Sequence, residues 1–87
     1  MEIIITKTFE KQLKSVPKNI RESAIAVLEA LEKTKNVTEI KHLKKLSGYT
    51  NYYRIRIGNY RMGLQIINPK IIVVIILHRG TIYKIFP

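Results

Sequence analysis

The stretch YYRIRIGNYRMG, residues 52–63, holds three arginines at spacings that set them side by side. Its side chains alternate in type, the mark of a half-buried strand. In the first run Tyr53, Ile55 and Ile57 point one way, and Tyr52, Arg54 and Arg56 the other. In the second run Tyr60, Met62 and Leu64 stand against Arg61 and Gln65. Gly58-Asn59 between the runs is a hairpin signal, since both residues tolerate positive φ. An antiparallel hairpin with these faces buries the apolar set and gathers Arg54, Arg56 and Arg61 on the open side. Guanidiniums so placed repel one another, and a polyanion that supplies the counter-charge is the simplest reason for the arrangement. Their planar forks suit bidentate contact with phosphate.

The charge of the whole chain points the same way. Sixteen Lys and Arg against six Asp and Glu give a formal charge of +10, beyond the roughly 2 to 8 usual for a small soluble domain. Such a field draws nucleic acid, the ribosome, an anionic membrane or an acidic protein. The alternative is a solvated basic surface with no partner. The placement is uneven: five of the six carboxylates lie in the first 32 positions, the sixth is Glu39, and residues 41–87 carry none. The absence of cysteine excludes a disulfide framework and a thiolate metal site. With only His42 and His78, a zinc site would need carboxylates, and none lies close in sequence. No secretory signal follows Met1-Glu2, and the apolar run Ile71 to Leu77 is too short to span a bilayer. These features describe one domain over residues 1–87, soluble and cytoplasmic, with no membrane partner, no metal and no cofactor.

The elements that must position the arginines read in order. Glu2 to Ile5 is a β-branched first strand, and Thr6 is the N-cap of the helix that follows. Phe9, Leu13 and Val16 share one helical face. Pro17 ends that helix and opens a second, which runs to about Lys33 with Ile20, Ala24, Val27, Leu28 and Leu31 as its apolar stripe. Lys41, His42, Lys44 and Lys45 alternate with Ile40, Leu43 and Leu46, which anchor a loop or a helical turn. That segment is either a phosphate-contacting edge or a solvated loop. Beyond the hairpin, Asn68-Pro69-Lys70 turns the chain, and Ile71 to Leu77 suits a central strand covered on both faces. Gly80-Thr81 turns again, and Ile82 to Phe86 is a last short run that carries Tyr83 and Lys84. The expected architecture is α+β: an N-terminal strand and a helical hairpin packed on one face of a small, mainly antiparallel sheet.

The string LKKLSGYTNYYRIRIGNYRMGLQI, the apolar strand after it and the closing HRGTIYKIF resemble the RelE toxins of type II toxin–antitoxin systems. The early F-x-x-x-L and the Pro-led second helix fit as well, so the resemblance covers nearly the whole chain. It implies a RelE-like fold and a small ribonuclease that enters the ribosomal A site, cuts mRNA there, and is held inactive by a cognate antitoxin. Carried over by position, the family's functional residues fall on Arg54, Arg56, Arg61, Arg79 and Tyr83. Relatives carry lysines where this chain has Arg54 and Arg56. Arginine holds its proton more firmly, which argues against proton donation by either. The Arg79–Tyr83 spacing is shorter than in some members, and no long helix follows Tyr83. A Glu–His acid–base pair, used by some relatives, has no carboxylate to draw on here.

RNA is cut when its 2′-OH is aligned behind the adjacent phosphorus, a reaction that needs no metal. Alignment and charge stabilisation are the largest contributions a protein makes to it. Arg54, Arg56, Arg61 and Arg79 can supply the electrostatic part. Tyr83 is the candidate base; it must act as its phenolate, the form that nearby positive charge stabilises. His78 is a possible acid or base, but if Arg79 faces the open side, strict alternation turns His78 to the other. His42 has less claim than His78. Lys41, Lys44, Lys45 and Lys84 are candidates for holding RNA or the ribosome, and Tyr52 for stacking a base. Ile67 shares the open face, so an acidic, amphipathic antitoxin segment is the expected cover, with self-association as the alternative. The rival expectations are a non-enzymatic inhibitor of DNA gyrase, like the related ParE toxins, and an inactive RNA-binding relative.

Overall fold

The computed structural model describes residues 1–87. The order is β1 (Glu2–Ile5), α1 (Lys7–Leu13), α2 (Lys18–Lys33), a 3-10 turn (Val37–Glu39), β2 (Leu43–Lys45), β3 (Tyr52–Ile57), β4 (Tyr60–Ile67), β5 (Lys70–His78) and α3 (Arg79–Ile85). One five-stranded sheet runs β1-β5-β4-β3-β2, with β1 parallel to β5 and every other pairing antiparallel.

Local chemistry sets the boundaries. Thr6 caps α1, its Oγ1 accepting from the Phe9 N–H at 3.0 Å. Pro17 stands at the cap of α2, where an N–H would have no helical partner. In the β3–β4 turn only Gly58 uses positive φ, +59°, as the first central residue of a type II′ turn does.

The helical hairpin covers one face of the sheet. Phe9, Ala24 and Leu31 from the helices meet Met62, Leu64, Ile71 and Ile76 from the strands, all 1% exposed or less. Each side chain of that size contributes roughly 1.5–3 kcal/mol by leaving water, so this layer carries most of the stability. Tyr53, Ile55, Ile57 and Tyr60 lie on the same side, as the alternation requires.

A bulge interrupts β5. Gly63 pairs with Ile75 but Leu64 with Val73, which leaves Val74 as the extra residue. Its carbonyl accepts the Thr6 hydroxyl at 2.7 Å, and the Ile76 N–H donates to the Gln12 side-chain oxygen at 2.9 Å. The polar groups freed by the bulge are thus satisfied from α1. The bulge also shifts the alternation by one, so Val73 and Ile76 both join the helix-side core while Ile75 turns to the opposite face.

Two segments differ from the sequence reading. Gly80-Thr81 and Ile82–Ile85 are not a turn and a last strand but belong to helix α3, which Phe86 caps at its C-terminus. Ile82 and Phe86, one helical turn apart, sink together into an apolar patch made with Ile75 and Leu46. In so short a run the helical and strand periods are both satisfied, and this tertiary patch selects the helix. Likewise Leu43–Lys45 is an edge strand paired to β3, not a loop or helical turn. Leu43 pairs with Ile55 and packs on the helix-side core.

Candidate functional site

On the face away from the helical hairpin, β3 presents Arg54 and Arg56 and β4 presents Arg61. Arg56 and Arg61 are direct cross-strand partners, and Lys44 is the partner of Arg54. Like charges directly opposite one another weaken a ladder. No carboxylate relieves them: the one ion pair in the chain joins Lys18 to Glu22 on α2, at 4.0 Å and well exposed.

Each guanidinium meets a dipole or a ring instead. Arg61 Nη1 donates to the Gly58 and Tyr60 carbonyls, both at 2.9 Å, which pins it to the turn. Arg56 Nη2 lies 3.0 Å from His42 Nδ1. Arg54 sits 4.6 Å from the centroid of the Tyr83 ring, and Arg61 reaches the same ring at 6.0 Å. A cation over an exposed aromatic ring is worth about 0.5–1 kcal/mol, so the two contacts hold the tyrosine at modest cost to its exposure, which is 55%.

Tyr83 is brought there by the burial of its neighbours. With Ile82 and Phe86 fixed in the patch, residue 83 falls on the flank of α3 that borders the arginines. Gly63 makes the approach possible. A Cβ at that position would stand 2.7 Å from Ile75 Cγ2 and 2.8 Å from the Phe86 ring, closer than carbon atoms can pack. The result is a cleft of about 420 Å³ lined by His42, Leu43, Lys44, Arg54, Arg56, Arg61 and Tyr83. A second depression of about 670 Å³ shares Lys44, Arg54 and Tyr83 and adds Lys45, Tyr49 and Lys84.

The structure therefore brings together Arg54, Arg56, Arg61, Tyr83 and Lys44, with Lys45 and Lys84 next door. Others lie apart. Arg79 opens α3 one turn before Tyr83; its N–H donates to the Asn59 carbonyl at 2.9 Å, but its side chain does not line the cleft. Lys41 borders a groove against α2 with Ala26, Val27 and Ile40. Tyr52 is half-buried, its ring edge-on to Phe86 at 5.6 Å and to Tyr49 at 6.4 Å, so it helps seat α3; Tyr49 is the more open ring. His78 caps α3, its Nδ1 accepting from the Gly80 N–H at 3.2 Å, and its ring packs against Tyr60 on the helix-bearing side. The ranking of the two histidines is thus reversed in space: His42 lines the cleft and His78 does not. Its only sequence signal was its place just before a strand that pairs with Arg54 and Arg56, and reading that strand as a loop hid it. No group of three or more His, Cys, Asp or Glu side chains is placed to hold a metal ion.

A small basic domain with a mainly antiparallel sheet, a helical hairpin behind it and a carboxylate-free cleft in front matches known proteins along its length. A family model described as the ParE toxin of type II toxin–antitoxin systems matches residues 3–83. Toxin RelE3 of Methanocaldococcus jannaschii is 42% identical over 88 residues, covering all of both chains. The toxin in the crystal structure of a RelB-RelE antitoxin–toxin complex from Methanococcus jannaschii superposes with a TM-score of 0.84 at 40% identity, over 97% of this chain and 99% of that one. An archaeal RelE-RelB complex from Pyrococcus horikoshii OT3 gives 0.74 at 26% identity, over 91% and 94%. The fold and these matches define a toxin of a type II toxin–antitoxin system. The chain belongs to the RelE toxin family, within the wider RelE/ParE group.

Proposed function

We propose that this toxin, acting as one domain over residues 1–87, is an endoribonuclease that enters the A site of the translating ribosome and cuts mRNA by attack of a 2′-OH on the adjacent phosphate. The observation that carries the proposal is the Tyr83 ring bracketed by Arg54 and Arg61 at the mouth of a cleft with no carboxylate in it. A phosphate held there gains charge on its non-bridging oxygens as the 2′-oxygen attacks, and fixed guanidiniums in a partly closed site stabilise that charge. Arg61 is already anchored through the turn carbonyls, so little reorganisation is needed. In this reading Tyr83, acting as its phenolate, takes the 2′-OH proton. The P–O5′ bond then breaks, the 5′-oxygen takes a proton from water, and a 2′,3′-cyclic phosphate is left on the upstream fragment. Arg79, one turn from Tyr83, adds positive field at the end of α3, and Lys44, Lys45 and Lys84 hold flanking phosphates or ribosomal RNA. The site of action is cytoplasmic; no helix is long and apolar enough to cross a membrane.

We assign a cognate antitoxin as the second partner, by analogy with the RelB-RelE complexes that the chain resembles. The open face is only partly apolar, because α3 of the chain itself covers Ile75 and Leu46. Ile67 stays 46% exposed at the far end of β4 from Arg61, opposite Lys70, which suits an acidic, amphipathic segment.

Primer extension on mRNA from cells expressing the chain tests the proposal. New 5′ ends that form only while translation runs are expected. Intact mRNA with arrested DNA replication would instead select the gyrase-inhibitor reading, which the ParE description of the family model favours. Tyr83→Phe should lower the cleavage rate by about 100-fold, as loss of one proton-transfer group does, with ribosome affinity little changed. An equal fall in both would make Tyr83 a binding residue.

A further inference from the structure

His42 is the cleft residue that the ribonuclease reading leaves without a part. Its backbone is held at φ +64°, a left-handed conformation that side-chain-bearing residues seldom adopt. Arg56 clamps it twice. The Arg56 N–H reaches the His42 carbonyl at 3.4 Å, and Arg56 Nη2 reaches His42 Nδ1 at 3.0 Å. A guanidinium has five donors and no acceptor. In this contact Nδ1 must therefore accept, and the ring proton must sit on Nε2. The same ring lines the cleft that holds Arg54, Arg61 and Tyr83.

We propose that His42 is a substrate-contacting residue: its Nε2–H donates to a non-bridging oxygen of the RNA phosphate held by Arg54 and Arg61, and Arg56 is the positioning residue that sets the tautomer and the ring's direction. This deepens the ribonuclease reading and rests on it. The geometry also says what His42 does not do. With Nδ1 engaged and Nε2 carrying its proton, no lone pair is left to take the 2′-OH proton, so His42 leaves the base role to Tyr83. Its contribution is a neutral, aimed hydrogen bond to developing negative charge, in the same cleft as the guanidiniums that supply the field.

Two measurements test this. Nitrogen-15 NMR of the His42 ring should show the Nε2–H tautomer in the free protein. That signal should move when a 2′-O-methyl oligoribonucleotide, which binds but cannot be cut, is added. A proton on Nδ1, or a ring signal that the oligonucleotide leaves unmoved, would overturn the proposal. This arm needs no cleavage, so it stands apart from the ribonuclease reading.

The second arm compares mRNA cleavage on ribosomes by the parent, His42→Gly and His42→Gln. Glycine keeps the left-handed backbone without strain and removes the ring. Its rate should fall about 10- to 100-fold, the loss of one hydrogen bond to a charged group, at an unchanged melting temperature. Glutamine can place an amide N–H where Nε2 stood and should restore most of the rate. His42→Gly cutting as fast as the parent, or His42→Gln failing as badly as glycine, would sink the assignment. A parent chain that leaves ribosomal mRNA uncut would refute the proposed function, and the NMR arm alone would then decide whether His42 binds RNA.

Discussion

Two neighbouring rungs of the β3–β4 ladder show how differently the two faces of the sheet are built. On the helix-bearing face Ile55 stands opposite Met62, and the two are 1% and 0% exposed. One residue further on, on the other face, Arg56 stands opposite Arg61. The two rungs belong to one antiparallel ladder, but the side-chain term changes sign, from burial that stabilises to like charges that repel. A fold can carry the second rung only because the first, and the helices that cover it, supply the stability. On the proposed function the repulsion is kept because RNA would remove it: a bound phosphate would be the counter-charge that the chain does not supply to itself.

Substitutions on the two faces should therefore separate stability from activity. The largest expected effect on folding is on the helix side. Phe9→Ala opens a cavity in a fully buried position and should lower the unfolding free energy by about 3–5 kcal/mol, read by urea denaturation. Activity should fall only in step with the folded fraction. Arg61→Ala is the mirror case. It should reduce cleavage by about 100- to 1,000-fold, in line with removal of one transition-state donor, and abolish growth arrest without lowering the melting temperature. Undiminished toxicity of Arg61→Ala would break the comparison, because the open face would then be ordinary solvated surface. Arg79→Ala should cost less than Arg61→Ala, since its side chain lies outside the cleft lining.

Gly63→Ala probes the boundary between the two regimes. Its methyl would collide with Phe86 and Ile75, and overpacking of this kind costs about 1–3 kcal/mol. Because α3 must lift, cleavage should fall further than the stability loss explains. The smallest effect sharpens the charge argument. Lys44→Thr removes the partner of Arg54 across β2 and β3 and should raise stability by about 0.2–1 kcal/mol at low salt, less at high salt, while ribosome binding weakens.

Much of this contrast was already written in residues 52–65. Alternation of side-chain type is a local property of a strand, so it settles which residues share a face before the strand finds any partner. That is why Arg54, Arg56 and Arg61 could be placed together, and Ile55 and Met62 beneath them, from spacing alone. The caps at Thr6 and Pro17 and the turn at Gly58 are local in the same sense. What lay beyond the sequence depended on contacts between distant segments. The HLKKL segment became an edge strand only because β3 offered a pairing edge. The IYKIF run became a helix because the far face of the sheet had an apolar patch to cover. Gly63 mattered because Phe86, 23 positions away, lies against it. Tertiary structure alone, then, chose which histidine stands beside the arginines and carried Tyr83 to their side. Local sequence sets the direction a side chain points, but only the packed fold decides what it points at.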